Sequence, residues 1–117
     1  AGRAGAAAEG VTASLPGVPL EKMPKGLDFK QKFESKYGTI QLYAPYCYDA
    51  VMVMAEAMQR ANSAEPAKYL PEMAKTNYQG VTANIKFDDK GDLQGGAITV
   101  YRVVKGNWEV LKTVGAQ

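Results

Sequence analysis

"IKFDDKGDLQGGAITVY", residues Ile85 to Tyr101, decides how this chain is read. A strand-like run ends at Phe87, polar residues and glycine follow, and beyond Gly95-Gly96 the chain turns β-rich. Asp88, Asp89 and Asp92 crowd three carboxylates together, so the stretch is a calcium loop, an active site or a connector. An EF-hand calcium loop needs oxygen ligands at its first, third and fifth positions and a Glu at its twelfth. Counted from Asp88, the third position is Lys90 and the twelfth is Thr99, so the spacing opposes calcium. A carboxylate pair working as acid and base needs a cleft and a partner, and the stretch offers neither. The connector reading has a mechanism. Asp88 can accept a hydrogen bond from its own backbone two residues on, and Gly91 can take a positive φ.

Downstream, "AITVYRVV" and "NWEVLKTV" alternate apolar and polar residues around "KGN", which predicts a hairpin whose loop centres on Gly106-Asn107. Upstream, "VTANIKF" reads as an irregular strand. Before it the period changes from two to three or four. Phe29, Phe33 and Tyr37 share one face of a helix from Gly26 to Lys36, with Gly38 as its stop. The strongest helix runs from Tyr43 to Asn62. Pro45 suits its first turn, Glu56 and Arg60 form an i, i+4 pair, and Ala44, Tyr48, Val51, Met52, Ala55 and Met58 make its inner stripe. Met52, Met54 and Met58 are read as core packing rather than a binding groove. A shorter helix spans Pro66 to Lys75, starting near Ser63 or Glu65, with Leu70, Met73 and Ala74 inward and Pro71 kinking or dividing it. Val11–Leu15 is a short strand bounded by Gly10 and Pro16-Gly17, and "PGVPLEKMP" is a loop. One strand, about three helices, then a short strand and a C-terminal hairpin make the chain α/β or α+β.

Composition narrows the function. The 117 residues carry a net charge of +2, 46% hydrophobic and 22% charged residues, which suits one globular domain. No basic cluster interleaves with aromatics, so no nucleic-acid partner is expected. No apolar run reaches the roughly 18 residues of a membrane helix. The chain has no histidine and one cysteine. His-based triads, Cys–His nucleophiles and the commonest zinc ligand sets are therefore absent, and no catalytic residue, metal or cofactor is expected. Cys47, in an apolar helical run, is expected to be buried and inert. "AGRAGAAAEG" is too short and too polar for a signal peptide. It reads as the tail of a helix whose beginning lies elsewhere, so the chain is expected to be a piece of something larger.

"QLYAPYCYDAVMVMAEAMQRA" and "GVTANIKFDDKGDLQGGAITVYRVVKGNWEVL" together carry a resemblance. The chain resembles the C-terminal portion of the periplasmic leucine/isoleucine/valine-binding proteins, the substrate-binding components of branched-chain amino-acid ABC transporters. The helix start Tyr48-Asp49-Ala50-Val51, the turn Phe87 to Leu93 and the strand in "AEGVTASLPG" match that family's pattern. The resemblance implies a type I periplasmic binding fold of two α/β lobes joined by crossing strands. Residues 1–17 would end a helix and add a strand to the second lobe. Residues 18–94 would be the helical part of the first lobe, and residues 95–117 the hairpin returning to the second. Pro16, Gly17, Gly95 and Gly96 would be hinge residues. Tyr43 would pack on the ligand's apolar side chain, with Tyr46 one turn on as the next candidate; read without the family, Tyr43 is a core or capping tyrosine. The implied protein is non-enzymatic and periplasmic. It would bind a small amino acid or related organic acid by lobe closure and deliver it to an inner-membrane ABC permease. Ala44-Pro45-Tyr46-Cys47 departs from the amino-acid binders, which leaves relatives that bind aromatic acids or amides as an alternative. A stand-alone α/β interaction module presenting Phe29/Phe33/Tyr37 is the alternative from another class. Cut from its lobes, the chain is expected to self-associate.

Overall fold

The computed structural model describes residues 3–115, and the chain divides into two compact units at Pro19/Leu20 and Gln94/Gly95. The first unit is a three-stranded antiparallel sheet in the order β1-β4-β5, formed by β1 (Thr12–Pro16), β4 (Ile98–Val104) and β5 (Asn107–Val114). β1 pairs with β4 from Thr12↔Arg102 to Pro16↔Ile98. The β4–β5 ladder slips at a bulge between Val100 and Tyr101. Thr99 and Val103 of the central strand are buried. Thr99 Oγ1 is satisfied there by the Gly17 carbonyl at 2.7 Å and the Thr113 hydroxyl at 3.1 Å. The hairpin turn is Lys105-Gly106, with φ of 49° and 79°. It lies one residue before the expected centre, because a two-residue turn of matching twist needs both positions at positive φ, which leaves Asn107 free to pair with Val104. The first strand likewise starts one residue later than expected and takes in Pro16. Ahead of it the expected helix tail is a single 3-10 turn, Gly5–Ala8.

The second unit holds α1 (Gly26–Tyr37), α2 (Ala44–Ala61), α3 (Pro66–Met73) and a two-stranded antiparallel pair, β2 (Asn77–Gln79) with β3 (Asn84–Lys86). α1 opens on Gly26 because a Cβ there would collide with the Leu20 carbonyl. α2 places Pro45 in its first turn and ends on Asn62 in the left-handed conformation, whose N–H reaches the carbonyls of Met58 and Gln59. α3 begins at Pro66 and runs undivided through Pro71, stopping two residues later. A proline this near the C-terminal end removes one intrahelical bond and leaves little helix to break. The short strand β2 was not expected: three residues around a lone Tyr78 give no period to read.

Three expectations about faces are corrected. The buried stripe of α2 is Pro45, Asp49, Val53 and Ala57 at steps of four, not Ala44, Tyr48, Val51 and Ala55. Val53 is 3% exposed and Val51 is 65% exposed. The same rotation leaves Cys47 exposed rather than buried. On α3, Leu70 and Ala74 are exposed and the half-buried side chains are Tyr69, Glu72 and Met73. Arg60 sets that register. It stands 3.7 Å from Glu56 and donates to the Glu72 carbonyl at 2.9 Å, which turns Glu72 toward α2.

The opening stretch is a turn. Asp88 Oδ1 accepts from the N–H groups of Lys90 and Asp92, both at 2.9 Å. Gly91 has φ 87°, and Phe87 bridges Leu93 across the turn.

Candidate functional site

The start of α2 gathers the chemistry that the sequence singles out. Tyr43 is its N-cap residue and 65% exposed. Its carbonyl accepts the Cys47 N–H at 2.9 Å, so its backbone is carried by the helix, although no side chain caps the helix there. Tyr46 follows on the first turn, half-buried. What fixes this end of the helix is Asp49, a residue given no role by sequence reasoning. Asp49 is 2% exposed. Its Oδ1 accepts from the Val81 N–H at 2.8 Å, and its Oδ2 from the Thr82 N–H at 2.8 Å and the Thr82 hydroxyl at 2.6 Å. Those donors belong to the turn between β2 and β3, which Gly80 closes by donating to the Ala83 carbonyl at 2.9 Å. A Cβ on Gly80 would stand 2.5 Å from Asp49 Oδ2, so the turn reaches the carboxylate only because residue 80 is glycine. The sequence carried a signal for this: Asp49 sits at the four-residue step between Pro45 and Val53. An acidic residue in a stripe is normally read as outward, and here that rule misleads.

Beside this anchor, α1 and α2 enclose a groove of about 460 Å³. Its apolar wall is an aromatic series. Phe29 and Phe33 stack at 5.6 Å, Phe33 and Tyr37 meet at 5.1 Å, and Phe29 and Tyr48 at 5.5 Å. Lys25, Lys32 and Lys36 stand along it. Two of the ammonium groups have protein partners: Lys25 donates to the Gln79 carbonyl at 2.6 Å and Lys32 to Asp28 at 2.9 Å. The Asp28 hydrogen bond, with its charge, raises the Lys32 pKa above the ordinary 10.5. Tyr78 at the groove floor is shifted upward too, by burial first and then by the charge of Asp49. Tyr43 and Tyr46 are not among the groove's lining residues, so groove and expected ligand contacts are separate features of this unit.

Of the expected hinge residues, Pro16 pairs with Ile98, and Gly17, at φ 86°, donates to the Ala97 carbonyl at 2.6 Å. Gly95 has φ 67°, while Gly96 keeps an ordinary φ. Among the described residues no cluster of three or more His, Cys, Asp or Glu side chains has the geometry to hold a metal ion, and no helix is long and apolar enough to cross a membrane.

A family model described as periplasmic binding protein matches residues 1–107. The leucine-, isoleucine-, valine-, threonine- and alanine-binding protein of Pseudomonas aeruginosa is 37% identical over 102 residues, which cover 84% of this chain and 26% of that protein. A leucine-binding protein from Thermotoga maritima superposes with a TM-score of 0.78 at 27% identity, over 93% of this chain and 32% of that one. An ABC transporter substrate-binding protein from Desulfitobacterium hafniense, solved in complex with Leu, gives 0.74 at 28% identity, over 89% and 32%. The chain thus spans about a third of the solved relatives and 26% of the curated one.

Proposed function

The chain belongs to the periplasmic binding protein family, and from that membership we propose that it is a portion of the substrate-binding component of an ABC importer for branched-chain or related small amino acids. The observation that carries this reading is the superposition on a leucine-bound relative across 89% of the chain. Its relatives are substrate-binding proteins rather than enzymes. In this proposal the unit Leu20–Gln94 is part of one lobe and the β1-β4-β5 sheet part of the other. The protein works in the periplasm, closes its lobes on the amino acid and hands it to a membrane permease.

Tyr43 contributes the aromatic surface against the ligand's side chain, with Tyr46 beside it. The exposure of Tyr43 at an uncapped helix start supports a ligand contact over a core role. The hinge runs through Pro16-Gly17 and Gly95-Gly96. Both backbone groups of Gly17 are engaged in the first unit, its N–H by Ala97 and its carbonyl by Thr99. This supports placing the swing just after Gly17 on one crossing and at Gly95 on the other.

Titration calorimetry with L-leucine, L-isoleucine and L-valine, on the protein in which the rest of the two-lobed fold completes this chain, tests the proposal. Saturable binding of at least one is the expected result. No heat with any of them overturns it, and heat with an aromatic acid or an amide instead moves the chain to another branch of the fold.

A further inference from the structure

We infer that Asp49 is a positioning residue for the ligand-binding end of α2, holding the helix at the rotation that presents Tyr43 and Tyr46. The inference rests on the proposed ligand role of Tyr43 and goes beyond it by saying what aims that side chain. α2 begins without a side-chain cap hydrogen bond, and Pro45 in its first turn donates no N–H. The directional tie comes one turn later. Three hydrogen bonds converge on one carboxylate from residues 32 and 33 positions away in the chain.

An apolar side chain at position 49 would bury as well but would tolerate rotation and sliding. Bonds to a charged acceptor are short, directional and roughly twice as strong as neutral ones. A buried charge is a poor source of net stability and a good one of a fixed register. Tyr46 lies three residues from Asp49, nearly one turn away. At about 100° per residue, Tyr43 stands about 120° round the helix from Asp49, on the side turned from the buried stripe. A rotation of α2 about its axis carries the Tyr43 and Tyr46 side chains round through the same angle, so a contact that fixes the rotation at Asp49 fixes both. Binding groups need to be held within about 10–20° of their working geometry.

The test is a double-mutant cycle in the full-length protein, read as leucine affinity by calorimetry with melting temperature recorded beside it. Asp49→Asn keeps the size and sets an amide N–H₂ against donors that need an acceptor. Thr82→Val removes only the hydroxyl bond, and Thr82→Ser retains it. Asp49→Asn is expected to weaken leucine binding roughly tenfold, the size expected for disturbing bonds to a charged group. Thr82→Val should weaken it less, and Thr82→Ser should match the parent. In a Tyr43→Ala background the affinity cost of Asp49→Asn should fall well below tenfold, because only Tyr46 is left to aim. An Asp49→Asn loss that persists in full without Tyr43, or a lowered melting temperature at unchanged affinity, overturns the inference. If Asp49→Asn does not fold, the Thr82 pair decides the same question. Tyr43→Ala binding leucine like the parent is a different failure: it removes the ligand role of Tyr43, and the positioning role with it.

Discussion

Asp49 and Gly80 form one contact seen from its two ends. The carboxylate fills the space that a side chain on residue 80 would need. Gly80→Ala therefore forces the β2–β3 turn off the carboxylate or the carboxylate off its donors. Either costs about 1–3 kcal/mol, as overpacking and broken charged bonds do. Urea unfolding measures this, and a midpoint unchanged from the parent contradicts the contact. Tyr78 in the same unit makes a pH prediction. Burial, then the Asp49 charge, hold its hydroxyl pKa above 10.0. In the window above that value the unfolded chain releases a proton that the folded chain keeps. Stability is then complete below about pH 10 and falls as pH rises through the folded pKa. Tyr78→Phe should flatten that part of the profile, and an identical alkaline decline in the variant would mean that another group causes it.

Helix α2 shows what an element's sequence does and does not disclose. Its existence and length were legible from the apolar period, Pro45 and Asn62, and its bounds differ from expectation by one residue at each end. Its rotation was not. Hydrophobicity is spread round Tyr48, Val51, Val53 and Met54, so apolar spacing alone cannot choose a face. The choice is made by a long-range polar contact from Asp49 that no local pattern encodes. Strand β2 was illegible for the related reason that it exists only by pairing with β3. By contrast the Asp88 turn and the β4–β5 hairpin were read correctly in kind, because turn chemistry is local. Of the candidate site, Tyr43 and Tyr46 came through family resemblance, whereas Asp49 needed the fold. The rotation makes a prediction of its own. In the dilute 117-residue chain, Val53→Ala should cost about 2 kcal/mol for a buried side chain cut back. Val51→Ala should cost under about 0.5 kcal/mol, as surface changes do. Equal costs in urea unfolding would contradict the observed face.

At the scale of the molecule, large apolar side chains remain uncovered in both units. Leu27, Tyr37 and Val51 are exposed in the helical unit, and Ile98, Trp108, Leu111 and Val114 in the sheet. β5 is also an edge strand. Exposed faces and free edges of this kind drive association. The 117-residue chain by itself is therefore expected to form dimers or larger species in light scattering, and a stable monomer that resists concentration would show that it needs no further cover. The central claim is that this chain is part of a protein that closes two lobes on an aliphatic amino acid. Small-angle X-ray scattering of the completed protein, with and without saturating L-leucine, tests it most directly. Closure predicts a smaller radius of gyration with leucine bound. A scattering curve unchanged at saturation, with binding confirmed by calorimetry, would contradict it.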